Sequence, residues 1–150
     1  MNREPYLYNK EFSTRYRFFS TGKKPVEKIV EFTPLAIENI YNLGFGDLLP
    51  DGSIDDKANS NNGDIIKVLS TVIYIIKDFT EENPKFKIVF GGSTKERTAL
   101  YQRIIKTHLD TFRKEFFITA LEGPANSPKE TPFDAGYTES YLAFFVKRKT

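Results

Sequence analysis

The sequence predicts an α+β fold: a mixed, mostly antiparallel sheet with two helices, in the order β-β-β-α-β-α-β-β. Three observations predict it. The first third alternates polar and apolar residues between turn formers, the period of half-buried strands. A run of apolar residues at helical spacing, Ile65 to Phe79, follows without a turn signal. A short run that becomes fully apolar, Lys85 to Phe90, then leads through Gly91-Gly92 into a second amphipathic segment. Strand, helix and strand in succession predict a right-handed parallel crossover.

Each element has its own warrant. Arg15-Tyr16-Arg17-Phe18 puts two arginines on one strand face and two aromatic rings on the other. A shorter strand fits near Tyr6 to Tyr8. Gly22-Lys23-Lys24-Pro25 is turn chemistry, and Val26 to Phe32 alternates again until Pro34. Ile40 to Phe45 supplies the next strand, so the opening elements form an antiparallel meander. From Leu49 to Asn62 the composition turns to Pro, Asp, Gly, Ser, Asn and Lys, which predicts a long loop, mobile from Asp51 to Asn59.

Ile65, Val68, Leu69, Val72, Ile76 and Phe79 then share a helical face, widened by Ile66, Ile73 and Ile75. That face is expected to pack on the sheet, with Ile88 and Phe90 beneath it. Asn83-Pro84 ends the helix. Ser93 followed by Glu96 reads as a capping box opening the second helix, whose face is Leu100, Ile104, His108 and Phe112, with Tyr101 and Ile105 beside them. Phe116 to Leu121 and Tyr141 to Val146 are strands, and Glu122 to Pro132 between them is a surface loop.

Composition sets the bounds. A length of 150 residues predicts a single domain over 1–150. Fourteen Phe and eight Tyr supply ample core material. The absence of Cys excludes disulfides, thiolate catalysis and Cys-ligated zinc. With a net charge of +2, composition alone gives no reason to expect nucleic acid or an anionic membrane. No apolar run reaches the ~18 residues of a membrane span and no leader is legible, which predicts a cytoplasmic protein with no membrane partner. The lone histidine, His108, reads as a packed residue on a helix face.

If the crossover forms, two connections meet at one sheet edge, where open sheets favour ligands. One runs from Asp47 to Asn61, Asn62, Gly63 and Asp64; the other is Ser93-Thr94, with Arg97 and Tyr101 in the helix behind it. Helix starts offer free N–H groups to an anion. These nine residues are the ligand-binding candidates, facing a common crevice and a small anionic ligand. A plain cap also accounts for "SNNGD": Asn61 or Asn62 caps the helix and Asp64 favours its dipole. Asp47, Asp51, Asp55, Asp56 and Asp64 lack EF-hand spacing and read as a solvated acidic loop, so no metal is assigned.

Two resemblances add to this reading. The stretches "YNLGFGD", "SNNGD" with "KVLSTV", and "GGSTKERTALY" resemble the landmarks of a family of uncharacterised bacterial proteins of about this length. The likeness covers nearly the whole chain and implies no activity. The element order is also similar to the second half of the acyl-CoA N-acyltransferase fold. There a Gly-rich loop opening the first helix binds the pyrophosphate of coenzyme A, and here "NSNNGDIIKVL" takes that place, with "RTALYQRI" on the second helix. That resemblance implies acyl-CoA as a cofactor. Only Gly63 stands where the loop has two or three small residues, no Arg or Gln precedes it at the expected spacing, and Asp64 puts a negative charge at the phosphate position.

Two function classes follow, and with no convincing catalytic pair legible the sequence leaves open whether the protein is an enzyme. One is a small-ligand-binding or acyltransferase-like protein with its site at the two helix starts. The other is a non-enzymatic protein–protein interaction module, taking a partner or a second copy through its strand meander and aromatic surface. A single-strand nucleic-acid surface on Arg15 to Phe19 and a metal-dependent nuclease at the aspartates rank behind both.

Overall fold

A computed structural model describes residues 4–55, 62–91 and 94–149. The fold is α+β, with a mixed and mostly antiparallel sheet. The chain divides into two compact units, Met1–Thr33 with Leu43–Phe79, and Pro34–Asn42 with Thr80–Thr150.

The first unit holds β1 (Tyr8–Phe12), β2 (Arg15–Ser20), most of β3 (Val26–Pro34), the later part of β4 (Ile40–Leu48), the short β5 (Ile54–Asp55) and most of α1 (Ile65–Glu82). The hydrogen-bonding order is β1-β2-β3-β4, with β5 on β4. The meander is antiparallel from β1 through β3, and β5 is antiparallel to β4. β2 behaves as its alternation requires. Tyr16 and Phe18 are buried, while Arg15 and Arg17 turn outward to Glu31 and Glu27. The buried side of α1 presents Val68, Leu69, Val72, Ile76 and Phe79, and the Phe79 ring stacks on Phe32 with centroids 3.9 Å apart. Ile65 departs from the expected face and is 41% exposed, because it opens the first turn where the chain comes in from the loop.

The second unit holds Ile40–Asn42 of β4, then β6 (Lys87–Phe90), α2 (Lys95–Thr107), α3 (Leu109–Glu115), β7 (Phe116–Glu122), β8 (Lys129–Pro132) and β9 (Ala143–Arg148). Its order is β4-β6-β9-β7-β8. β4 and β6 run parallel, as a strand-helix-strand crossover demands, and the other pairs are antiparallel. Ile88, Phe90, Tyr101, Ile105, Phe144 and Val146 form its core.

Five expectations are corrected. The second helix is two helices, for a total of three among the described residues. His108 leaves the helical conformation at φ −109° and ψ 18°, which lets Leu109 turn into the core. The buried face of α2 is therefore Thr98, Tyr101, Ile104 and Ile105 rather than a stripe through His108 and Phe112. The segment read as a surface loop before Pro132 contains β8, whose side chains are mostly exposed; pairing with Thr119–Glu122 through the backbone leaves no apolar period to read. The cap of α2 is Thr94, whose hydroxyl accepts from the Arg97 N–H at 3.2 Å. Ser93, proposed as the cap, lies outside the described residues. The long loop begins as a hydrogen-bonded turn into β5. Leu49 N–H donates to Ser53 O at 2.9 Å, and the Asp51 carboxylate accepts from Ser53 N–H at 3.0 Å. The remainder of that loop, 56–61, lies outside the described residues.

Candidate functional site

The "SNNGD" stretch joins α1 to the turn between β2 and β3. Asn62 is only 4% exposed. Its Nδ2 donates to Ser20 Oγ at 2.9 Å and to Lys24 O at 2.6 Å, and its Oδ1 accepts from Lys24 N–H at 2.9 Å. Its carbonyl accepts from Lys23 N–H at 2.9 Å. Gly63 has φ +78°, a left-handed conformation that residues with a Cβ rarely adopt. Asp64 directly precedes α1, and its carbonyl accepts from Val68 N–H at 3.0 Å. Its carboxylate takes Ser20 Oγ–H and Tyr6 O–H, both at 2.5 Å. The chemistry of asparagine, glycine and aspartate at this point is a three-way fastening of loop, turn and N-terminal segment. Asn61 lies outside the described residues.

The other candidates are distributed over the two units. Asp47 is ion-paired with Lys28, a lysine only 6% exposed on β3. Asp55 stands opposite Asp47 in the β4–β5 ladder. Thr94, Arg97 and Tyr101 belong to the second unit and come together on the first two turns of α2. Burial pushes the Tyr101 hydroxyl well above its ordinary pKa, with the Arg97 charge pulling the other way. Among the described residues no group of three or more His, Cys, Asp or Glu side chains could hold a metal ion. No helix among them is long and apolar enough to cross a membrane.

A cleft of about 600 Å³ opens in the first unit, at residues the site reading passed over. The β1–β2 ladder ends at the pair Tyr8–Phe18. Ahead of it, Pro5 to Leu7 leave the ladder, and Tyr6 N–H donates to Thr71 Oγ1 of α1 at 2.9 Å. Pro5, Tyr6 and Leu7 line it from the N-terminal segment, and Phe18, Phe19 and Thr21 from the end of β2 and the turn after it. Asn9, Glu11, Arg17 and Glu27 continue it along the meander, and Lys67 of α1 completes it.

Its electrostatics are uneven. Arg17 is held by Glu27 at 2.6 Å and Glu11 at 3.1 Å, and these bonds raise its pKa further. Glu11 reaches Arg17 from an irregularity in β1, where the register shifts between Lys10 and Phe12. Lys67 lies over the Tyr6 ring, 4.4 Å from its centroid, and makes no ion pair among the described residues. Two apolar side chains stand at the rim with nothing over them: Leu7 is 96% exposed and Phe19 is 53% exposed. Both were visible in the sequence as apolar residues breaking the alternation at a strand end. Periodicity assigns such residues to no face.

No curated protein and no solved structure matches this chain. A family model matches residues 2–149, and its description is a family of unknown function, DUF6934. The match spans nearly the whole sequence: the chain belongs to that family.

Proposed function

We propose that this chain is a non-enzymatic interaction module that takes an extended segment of a partner protein in the cleft of its strand meander. The observation that carries this reading is the exposed apolar pair Leu7 and Phe19 among the residues that line a cleft about 600 Å³ in volume. Exposed apolar surface beside a groove marks an interaction site more often than chance. The cleft's lining follows the chain from Pro5 to Glu11, about 20 Å of extended chain at ~3.3 Å per residue, which suits a peptide better than a compact metabolite. β1 also ends the strand order, so its outer edge offers main-chain groups for strand addition.

An acyl-CoA site at the first helix start is the weaker reading. It needs a loop free to meet a pyrophosphate, whereas the Asn62 side chain bonds Ser20 and Lys24 and the Asp64 carboxylate stands at the helix start.

Selection from a displayed random-peptide library tests the proposal. The protein should enrich a family of sequences, and Leu7→Glu with Phe19→Glu should abolish enrichment while the unfolding midpoint stays within a few degrees. Equal enrichment by the double variant, or none by the parent, overturns it.

A further inference from the structure

Resting on that reading, we infer that the partner segment carries an acidic side chain next to apolar ones, and that Lys67 receives the carboxylate. The charges of the cleft lead there. Arg17 is already neutralised on both sides by Glu11 and Glu27. Lys67 is half-buried, and its ammonium has an aromatic ring beneath it and, among the described residues, no carboxylate in ion-pair contact. A partner carboxylate would therefore meet a cation that need not first leave another anion. The Tyr6 ring fixes that cation from below. Tyr6 is itself fixed, donating to Asp64 at 2.5 Å and stacking on Phe18 with centroids 6.0 Å apart. The partner's apolar side chains fall on Leu7 and Phe19, which flank the same cleft. In an extended segment these groups occupy alternate positions, because every second side chain faces the same way.

The direct test uses three labelled hexapeptides and fluorescence anisotropy. The first is Ser-Leu-Thr-Phe-Thr-Glu, with both apolar residues and the acid on one face. The second replaces Glu by Lys, and the third replaces Leu and Phe by Ser. The first should bind at least tenfold tighter than either of the others. Lys67→Gln should erase the preference for the acid, whereas Lys77→Gln, elsewhere on α1, should preserve it. Equal binding of the Glu and Lys peptides overturns the inference, as does equal binding of the Ser-substituted peptide. If 4-phenylbutyrate binds as tightly as the acidic hexapeptide, the occupant is a small carboxylate and the peptide assignment is overturned. Library selection separates this inference from its foundation. Enriched sequences without an acid overturn the role of Lys67 and leave the docking cleft standing, whereas failure to enrich any sequence removes both.

Discussion

Asn62 donates to the Ser20 hydroxyl at 2.9 Å, and that hydroxyl in turn donates to Asp64 at 2.5 Å, so one buried serine joins the loop to the start of α1. Ser20 has no solvent exposure and Asn62 has 4%, so neither can exchange a lost partner for water. Truncating Asn62 to Ala strands the Lys24 N–H and the Lys24 and Ser20 oxygens. The expected loss is about 1–3 kcal/mol, the penalty of a buried group left unpaired. Urea unfolding of Asn62→Ala, Ser20→Ala and the double variant should give a coupling above ~0.5 kcal/mol, because the two residues share one network.

Two glycines of this junction should respond differently. Gly63→Ala forces a Cβ into the left-handed region and should cost about 1–2 kcal/mol. Gly22→Ala should cost more, since its Cβ would lie 1.9 Å from the Asn62 carbonyl oxygen, which is backbone and cannot swing away. Thermal melts of the two variants, ranked in the opposite order, would show that the turn yields more readily than the loop.

Along α1, burial separates residues that look alike in sequence. Leu69 is fully buried, so Leu69→Ala should lose about 2–5 kcal/mol. Ile65 is 41% exposed, and Ile65→Ala should lose little more than the ~0.5 kcal/mol of a surface change. Equal losses in chemical denaturation would mean that the helix is rotated.

Alkaline pH should weaken the fold through Tyr101. Burial raises its pKa above the ordinary value of 10, so the folded state holds the phenolic proton more tightly than the unfolded state. The associated stability is intact below pH 10 and is lost as pH rises from there toward the folded-state pKa. Tyr101→Phe keeps the ring against Phe90 and should flatten the decline in stability between about pH 9 and about pH 11. Tyr8, raised by burial and its bond to Asp78, should keep part of the slope in that variant. An unchanged pH profile would mean that Tyr101 does not titrate in that range.

Much of the fold was legible because packing wrote a period into the sequence. Tyr16 and Phe18 alternate with two arginines, and Val68, Leu69, Val72 and Ile76 recur at helical spacing; all six apolar residues are buried. β8 left no such trace, since it pairs through its backbone and exposes most of its side chains. The break at His108 was hidden because Leu100, Ile104, His108 and Phe112 recur every four residues, whichever way Leu109 turns. "SNNGD" was recognisable as unusual, but its partners Ser20, Lys24 and Tyr6 are about 40–60 positions away, beyond any local pattern. The cleft was less legible still. It forms where Pro5–Leu7 leave β2, and the point where a ladder stops is set by tertiary bonds such as Tyr6 to Thr71.

The most direct measurement is a backbone ¹H–¹⁵N titration of the full chain with the acidic hexapeptide. The account predicts shifts concentrated at Leu7, Asn9, Phe19, Thr21 and Lys67, with Thr94 to Tyr101 unmoved. Shifts centred on Thr94 and Arg97, or none at millimolar peptide, would contradict it.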